Sequence, residues 1–279
     1  MATAVSLSTL VRFAELMPHE RVPWPWFLEL MLRHHLERGE CEQLRDQAIG
    51  LGILRFTERE QVLKFEPLER SLDAGETPAI RDSMRAEVQS LVSDRLAQFH
   101  AERDRLFQEV LKGGHPEAQP NWYVAPMAEA KARAAELGTV DVIDNHDGSY
   151  GLRLKEDLLW EEDCLTAFIA LEFHSDRPDS VFWALTTDSV PPADIVRNED
   201  RISAQARTID DLRRQRTMIG LLLHNKARYN ASFGSWRGAW SVARGAVEVF
   251  QGLSETFPDD PEIAEFLKRA KERMWLYDD

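Results

Sequence analysis

The stretch Pro23–Phe65 reads PWPWFLELMLRHHLERGECEQLRDQAIGLGILRFTEREQVLKF, and its reading decides the fold class. Trp26, Phe27, Leu30 and Met31 recur at helical spacing, and Leu36 extends the stripe. That spacing predicts a helix with Pro25 in its first turn and Gly39 at its end. Glu40–Leu51 predicts a second helix, with Leu44, Ala48 and Leu51 on one face and Gly50 and Gly52 around its close. Two β-like stretches follow, Ile53–Thr57 and Gln61–Phe65, with Glu58-Arg59-Glu60 as a hairpin tip.

Outward toward the N-terminus, Leu7, Leu10, Val11, Ala14 and Met17 predict a further amphipathic helix. Pro18 ends it, and Pro23 and Pro25 mark a loop. Three helices and a hairpin in this order make a winged helix-turn-helix. Four pieces carry a family resemblance: Leu16-Met17-Pro18, Val22-Pro23, LRDQAIGLGIL at 44–54 and LKFEPLERSL at 63–72. On these, Met17–Leu72 resembles the winged-helix domain that follows the nucleotide-binding module of STAND-type signalling ATPases. The chain departs from that family where Phe65 or Glu66 stands in place of a His, and it has no G-x-x-x-x-G-K-[ST] loop. The resemblance implies the winged helix without the ATPase.

Winged helices contact DNA through the third helix. Here that helix carries Glu40, Glu42 and Asp46 against Arg45 alone. Arg33, His34, His35 and Arg38 before it, and Arg55, Arg59 and Lys64 on the hairpin, add basic groups. The whole chain has net charge −14 and a pI near 5.1. Affinity for nucleic acid rests on neutralising phosphates, so this balance disfavours DNA or RNA as the main partner. It favours solubility and a basic protein partner.

With 279 residues, 43% of them hydrophobic, the chain has material for two or three packed domains. Cys41 and Cys164 are its only cysteines, which excludes a disulfide scaffold and a Cys-x-x-Cys zinc cluster. Both stand beside carboxylates, which oppose thiolate formation. Met1–Glu20 lacks the pattern of a signal peptide, and Ile219–Leu223 is too short to span a bilayer, so a cytoplasmic, membrane-free protein is expected.

Past a polar linker at 73–76, Thr77-Pro78 opens a long helix. Its stripe runs through Ile80, Met84, Val88, Leu91, Phe99, Leu106 and Val110 to Lys112. Gly113-Gly114 stops it, 115–126 reads as a loop, and Met127–Leu137 as a short helix. Thr139–Ile143 and Tyr150–Leu154 read as strands around the turn Asn145-His146-Asp147-Gly148. Thr166–His174 and Ser180–Thr187, rich in aromatic and β-branched residues, predict two more strands of a small antiparallel sheet.

This segment holds the acidic and histidine residues that a metal would need. Asp141, Asp144, His146 and Asp147 cluster near the turn. Glu172, His174 and Asp176 alternate and would share one face of a strand, which makes them the metal candidates. The competing reading is ordinary turn and strand-end polarity. No lysine follows Glu172 at metal-nuclease spacing, and no Gly-x-Ser-x-Gly elbow supports a serine hydrolase.

Asn198–Asn230, Gly238–Phe257 and Pro261–Tyr277 read as helices, the last capped by Asp259-Asp260. The stretch NKARYNASFGSWRGAWSVARGAVEVF at 225–250 resembles a tetratricopeptide-type helical hairpin. Ala227, Tyr229, Gly234, Trp236, Ala239 and Ala246 carry the likeness. It is a single copy, where a solenoid needs about three. Arg201, Arg207, Arg213, Arg214, Arg216, Lys226, Arg228 and Arg237 make the region locally basic beside Tyr229, Trp236 and Trp240. Charge with stacking would suit single-stranded nucleic acid. The alternatives are pairing within the acidic chain or a solvated face, and an acidic protein partner. The candidate interaction residues are Arg213, Arg214, Arg216, Trp236, Arg237 and Trp240.

The expected fold is α+β and mainly helical. Its segments are a winged helix (1–75), a helical connector (76–137), a small antiparallel sheet (138–190) and C-terminal helices (191–279). The expected function is that of a non-enzymatic interaction or regulatory protein without a cofactor. The two resemblances together imply an adaptor, inhibitor or target in a bacterial signalling or anti-phage system. One alternative is a DNA-binding transcriptional regulator, and another is a metal-dependent hydrolase on the central sheet. An exposed aromatic patch near Trp236 and Trp240 would favour the interaction role.

Overall fold

Leu10, Phe13 and Ala14 are buried along one side of α1 (Leu7–Leu16), as their spacing requires. The computed structural model describes residues 7–17, 21–57, 62–65, 78–112 and 125–278, which form two compact units, Met1–Phe168 and Ile169–Asp279. The hairpin tip expected at 58–60, the linker at 73–76 and most of the 115–126 loop lie outside the described residues.

In the first unit, α1 is followed by β1 (Arg21–Pro23), α2 (Trp24–Arg33), α3 (Arg38–Gly50), β2 (Leu54–Thr57) and β3 (Val62–Phe65). The three strands pair antiparallel in the order β1-β3-β2, with Val22 opposite Leu63 and Leu54 opposite Phe65. Pro23, expected in a loop, ends β1. The strand is at a sheet edge, where a residue without an N–H is tolerated. Helix α2 stops at Arg33, before Gly39, because His35 takes a left-handed conformation with φ 62°. Gly39 instead lies inside α3. That helix starts on a capping box in which the Glu37 backbone N–H donates to Glu40 at 2.9 Å.

Helix α4 (Pro78–Leu111) buries Met84, Val88, Leu91, Val92, Leu96 and Phe99. Arg95 to Glu29 (2.7 Å), Arg33 to Asp94 (3.2 Å) and His34 to Glu87 (2.8 Å) tie α2 to it. Helix α5 (Met127–Leu137) ends at Gly138, whose φ of 71° suits glycine. The hairpin of β4 (Val140–Asp144) and β5 (Tyr150–Leu154) follows, with Val140 opposite Leu154 and Asp144 opposite Tyr150.

The two further strands are not formed. Thr166–His174 falls in α6 (Glu156–Phe173), and Ser180–Thr187 in α7 (Pro178–Thr186). Leu165, Phe168, Ile169, Glu172 and Phe173 are buried at three- and four-residue spacing, and Pro178 opens α7. Aromatic and β-branched content there reflects burial, which helices satisfy equally well. The sheet is therefore the β4–β5 pair alone, in a mainly helical chain.

The second unit begins within α6. Asn198–Asn230, expected as one helix, is split. After α8 (Pro192–Arg197) come α9 (Glu199–Ala206) and α10 (Leu212–Ser232), the last restarted by Asp211, whose side chain accepts from the Arg213 and Arg214 backbones. Arg201 donates to the Phe173 carbonyl at 2.8 Å, satisfying the end of α6. Helix α11 (Trp236–Thr256) runs back along α10, and α12 (Pro261–Leu276) packs on α11 in turn. Asp260 caps α12, accepting from Glu262 and Ile263.

Ala239, Ala243 and Ala246 keep α11 close to α10, and opposite them Gly220 takes the Phe250 ring against bare backbone. A Cβ at Gly220 would sit 2.6 Å from Phe250 Cζ. Overpacking costs about 1–3 kcal/mol, and alanine's helix preference returns about 1 kcal/mol. Gly220→Ala is therefore expected to lose up to about 2 kcal/mol of stability in urea unfolding. An unchanged or raised midpoint would show that the ring has room to move.

Candidate interaction surface

Helix α10 ends, α11 begins and α12 ends at one extremity of the second unit, because the three helices alternate in direction. Ala227, Ala239, Ala243 and Tyr277 form a buried cluster there, with Trp240 and Met274 packed half-buried against it. Around this cluster large apolar side chains face solvent. Phe233 is 72% exposed, Trp236 53%, Trp275 73% and Leu276 64%. Phe233 leans on Tyr229 (ring centroids 4.8 Å) and Trp236 on Tyr277 (6.0 Å). The cluster holds the rings in place while leaving their outer faces open, which suits aromatic anchors of a contact.

The basic residues of this unit are mostly consumed internally. Arg213 bonds Asp260 (2.5 Å) and Glu262 (2.6 Å), joining α10 to the start of α12. Arg214 pairs with Asp179 at 2.7 Å and lies over the Phe182 ring. Lys226 bonds Glu199, and Arg228 bonds Asp188. Arg216 and Arg237 are exposed and pair with no carboxylate among the described residues. Of the six candidate interaction residues, Trp236, Trp240 and Arg237 lie at the aromatic extremity. Arg213 and Arg214 lie at the opposite end of α10, in the first turn, with Arg216 one turn on.

The metal candidates are not brought together. Glu172 and His174 sit two residues apart on a helical turn and diverge; Glu172 is wholly buried and engaged within the fold, and His174 is exposed. Asp176 lies past the helix end. Among the described residues no three His, Cys, Asp or Glu side chains converge as a metal would require. At the β4–β5 turn the carboxylates serve the backbone: Asp144 accepts from the His146 N–H and Asp147 from the Ser149 N–H. Burial, with Asp163 and Glu161 beside it, pushes the Cys164 thiol up to about 12. Burial likewise raises Cys41. Neither is a nucleophile in this environment.

One feature had no sequence signal. A shallow cleft opens beside the end of α7, floored by Leu185, Leu221, Phe250 and Phe266 and edged by Asp188 and Arg269. His224 of α10 lines it, 8% exposed, and its ring makes no hydrogen bond among the described residues. Burial drives its pKa down to about 4; Asp188 opposes the shift, and Arg228, Arg273 and Arg269 add to it. The residues come from four separate segments, so no local motif announces them. Comparison of the chain with protein-family models, curated proteins and solved structures gives no match.

Proposed function

We propose that the chain works by protein contact rather than by chemistry of its own. The observation that carries this reading is the exposed set Phe233, Trp236, Trp275 and Leu276, held at one extremity of the second unit. Large apolar groups gathered in one region mark contact sites more often than scattered ones do. By analogy with the families it resembles, the chain acts as an adaptor, inhibitor or target in a bacterial signalling or anti-phage system. No helix among the described residues is long and apolar enough to cross a membrane.

The test is capture of partners from the native lysate by the tagged chain, with and without nuclease, beside a Trp236→Ser/Trp275→Ser variant. A specific protein retained after nuclease and reduced at least tenfold by the variant is expected, the scale of aromatic hot spots. Equal capture by the variant would remove the surface from the mechanism.

One observation favours a second reading, DNA binding. The helix and strand order of the first unit, with its β1-β3-β2 sheet, supports that reading through the winged-helix resemblance. The electrostatics of α3 weigh against it. Arg38 pairs with Glu42, and Arg45 pairs with Asp46 and lies over the Trp24 and Phe56 rings. A helix whose cations are engaged has little to offer phosphate. Gel retardation of duplex DNA at low salt is expected to show no complex; a salt-sensitive complex would reverse the order of the two readings.

A further inference from the structure

The aromatic extremity of the second unit carries unpaired charges of both signs. Arg237 stands exposed in the first turn of α11, next to Trp236, and Asp278 stands exposed just past α12, next to Tyr277. The Trp236 and Tyr277 rings meet at 6.0 Å, so the two charges flank one aromatic contact. Neither forms an ion pair among the described residues. Elsewhere in this unit opposite charges find each other, as in Arg214 with Asp179 and Lys226 with Glu199. Backbone fields have the same sense as the side chains. Helix α11 starts here with no side-chain cap and no acidic residue in its first turn, and α12 ends here. A helix start is positive and a helix end negative. Phe233, Trp236, Trp275 and Leu276 supply exposed apolar surface at the same extremity.

We infer that this surface docks on the same surface of a second copy of the chain, about a two-fold axis. The inference rests on the contact role proposed above for these side chains and names their partner. A two-fold contact is isologous: residue i meets residue j of the other copy, and j meets i, so the patch must complement itself. A patch of one sign cannot do so. Apolar rings with a positive group on one side and a negative group on the other can. Arg237 of each copy faces Asp278 of the other, and the exposed rings cover one another. A strongly acidic partner would be repelled by Asp278, and a strongly basic one by Arg237. The net charge of −14 does not oppose the pairing strongly, because Ile169–Asp279 carries 18 Asp and Glu against 15 Lys and Arg. Four exposed side chains are few for an obligate dimer and suit a reversible one.

The experiment is sedimentation velocity of the full chain in about 0.15 M salt, where long-range repulsion is screened. With rising concentration the mass is expected to climb from 32.0 kDa toward twice that value. The dissociation constant is expected at about 10–50 µM, the strength of a small interface. Trp236→Ser/Trp275→Ser is expected to raise it at least about tenfold. Arg237→Asp and Asp278→Arg are each expected to stay monomeric to about 200 µM, because the two-fold repeats every like-charge contact. Mixed in equal amounts, these two variants are expected to pair with each other, since opposite charges then meet at both contacts. A parent chain that stays monomeric, a dimer untouched by the Trp variant, or a mixture that does not associate would overturn the second copy. A monomeric parent whose lysate partner is still lost from the Trp variant would leave the contact role standing and remove the second copy alone.

Discussion

Phe250→Ala is expected to lower the unfolding free energy by about 3–5 kcal/mol, the range for a buried phenylalanine cut to alanine. Phe250 is 1% exposed, meets Phe266 at a centroid distance of 5.6 Å, and fills the space left by Gly220. Its removal therefore opens a cavity where α10, α11 and α12 meet. The surroundings resist collapse, because the alanines of α11 already set the helices at close approach. Urea unfolding followed by circular dichroism measures the loss. A change below about 1 kcal/mol would mean that the three-helix core does not depend on this ring.

The second large effect is one of pH. The folded-state pKa of His224 is about 4, against an ordinary value near 6.5. Below 6.5 the unfolded chain takes up a proton that the folded chain refuses, so stability rises with pH in this window. The contribution is whole above about pH 6.5 and drains away as the pH falls toward 4. Between about pH 7 and pH 4.5 the loss is about 2–3 kcal/mol. His224→Gln is expected to flatten that part of the profile, since glutamine does not titrate. A slope equal to the parent's would place the proton uptake elsewhere. Asp260 and Glu265, whose carboxyls Arg213 and Arg269 hold below the ordinary range, act mainly below about pH 4.5, so most of the slope in this window belongs to His224.

How far the sequence could be read depended on the kind of signal. Helices with a stripe and a punctuating residue were legible, as at α4, α5 and α12, where Pro78, Gly138 and Asp260-Pro261 mark ends. The hairpin β4–β5 was legible because its turn residues bond their own backbone. The segments 166–174 and 180–187 misled because composition was given more weight than period. Leu165, Phe168, Ile169 and Phe173 already carried the helical spacing. The break between α9 and α10 was missed because the apolar stripe continues through Ile209 while Asp211 supplies a fresh cap.

For the candidate surface, Trp236 was identified from the hairpin resemblance and Trp240 from the basic stretch beside it, whereas Phe233, Trp275 and Leu276 were not. Phe233 sits in a turn and the other two at the end of a helix. Exposure at such positions is decided by what packs nearby, which spacing does not report.

The amino-acid sequence by itself determined the mainly helical character, the acidic charge and most of the element boundaries. All three follow from residue type and local period, interactions that act over one or two turns. Tertiary structure alone decided which basic residues remain available, since Arg213 and Arg228 find their carboxylates 47 and 40 residues away. It alone brought His224, Asp188 and Arg269 to one cleft and four apolar side chains to one extremity. The reason is physical: charge pairing and burial depend on distance in space, and only the packing of α10, α11 and α12 sets that distance.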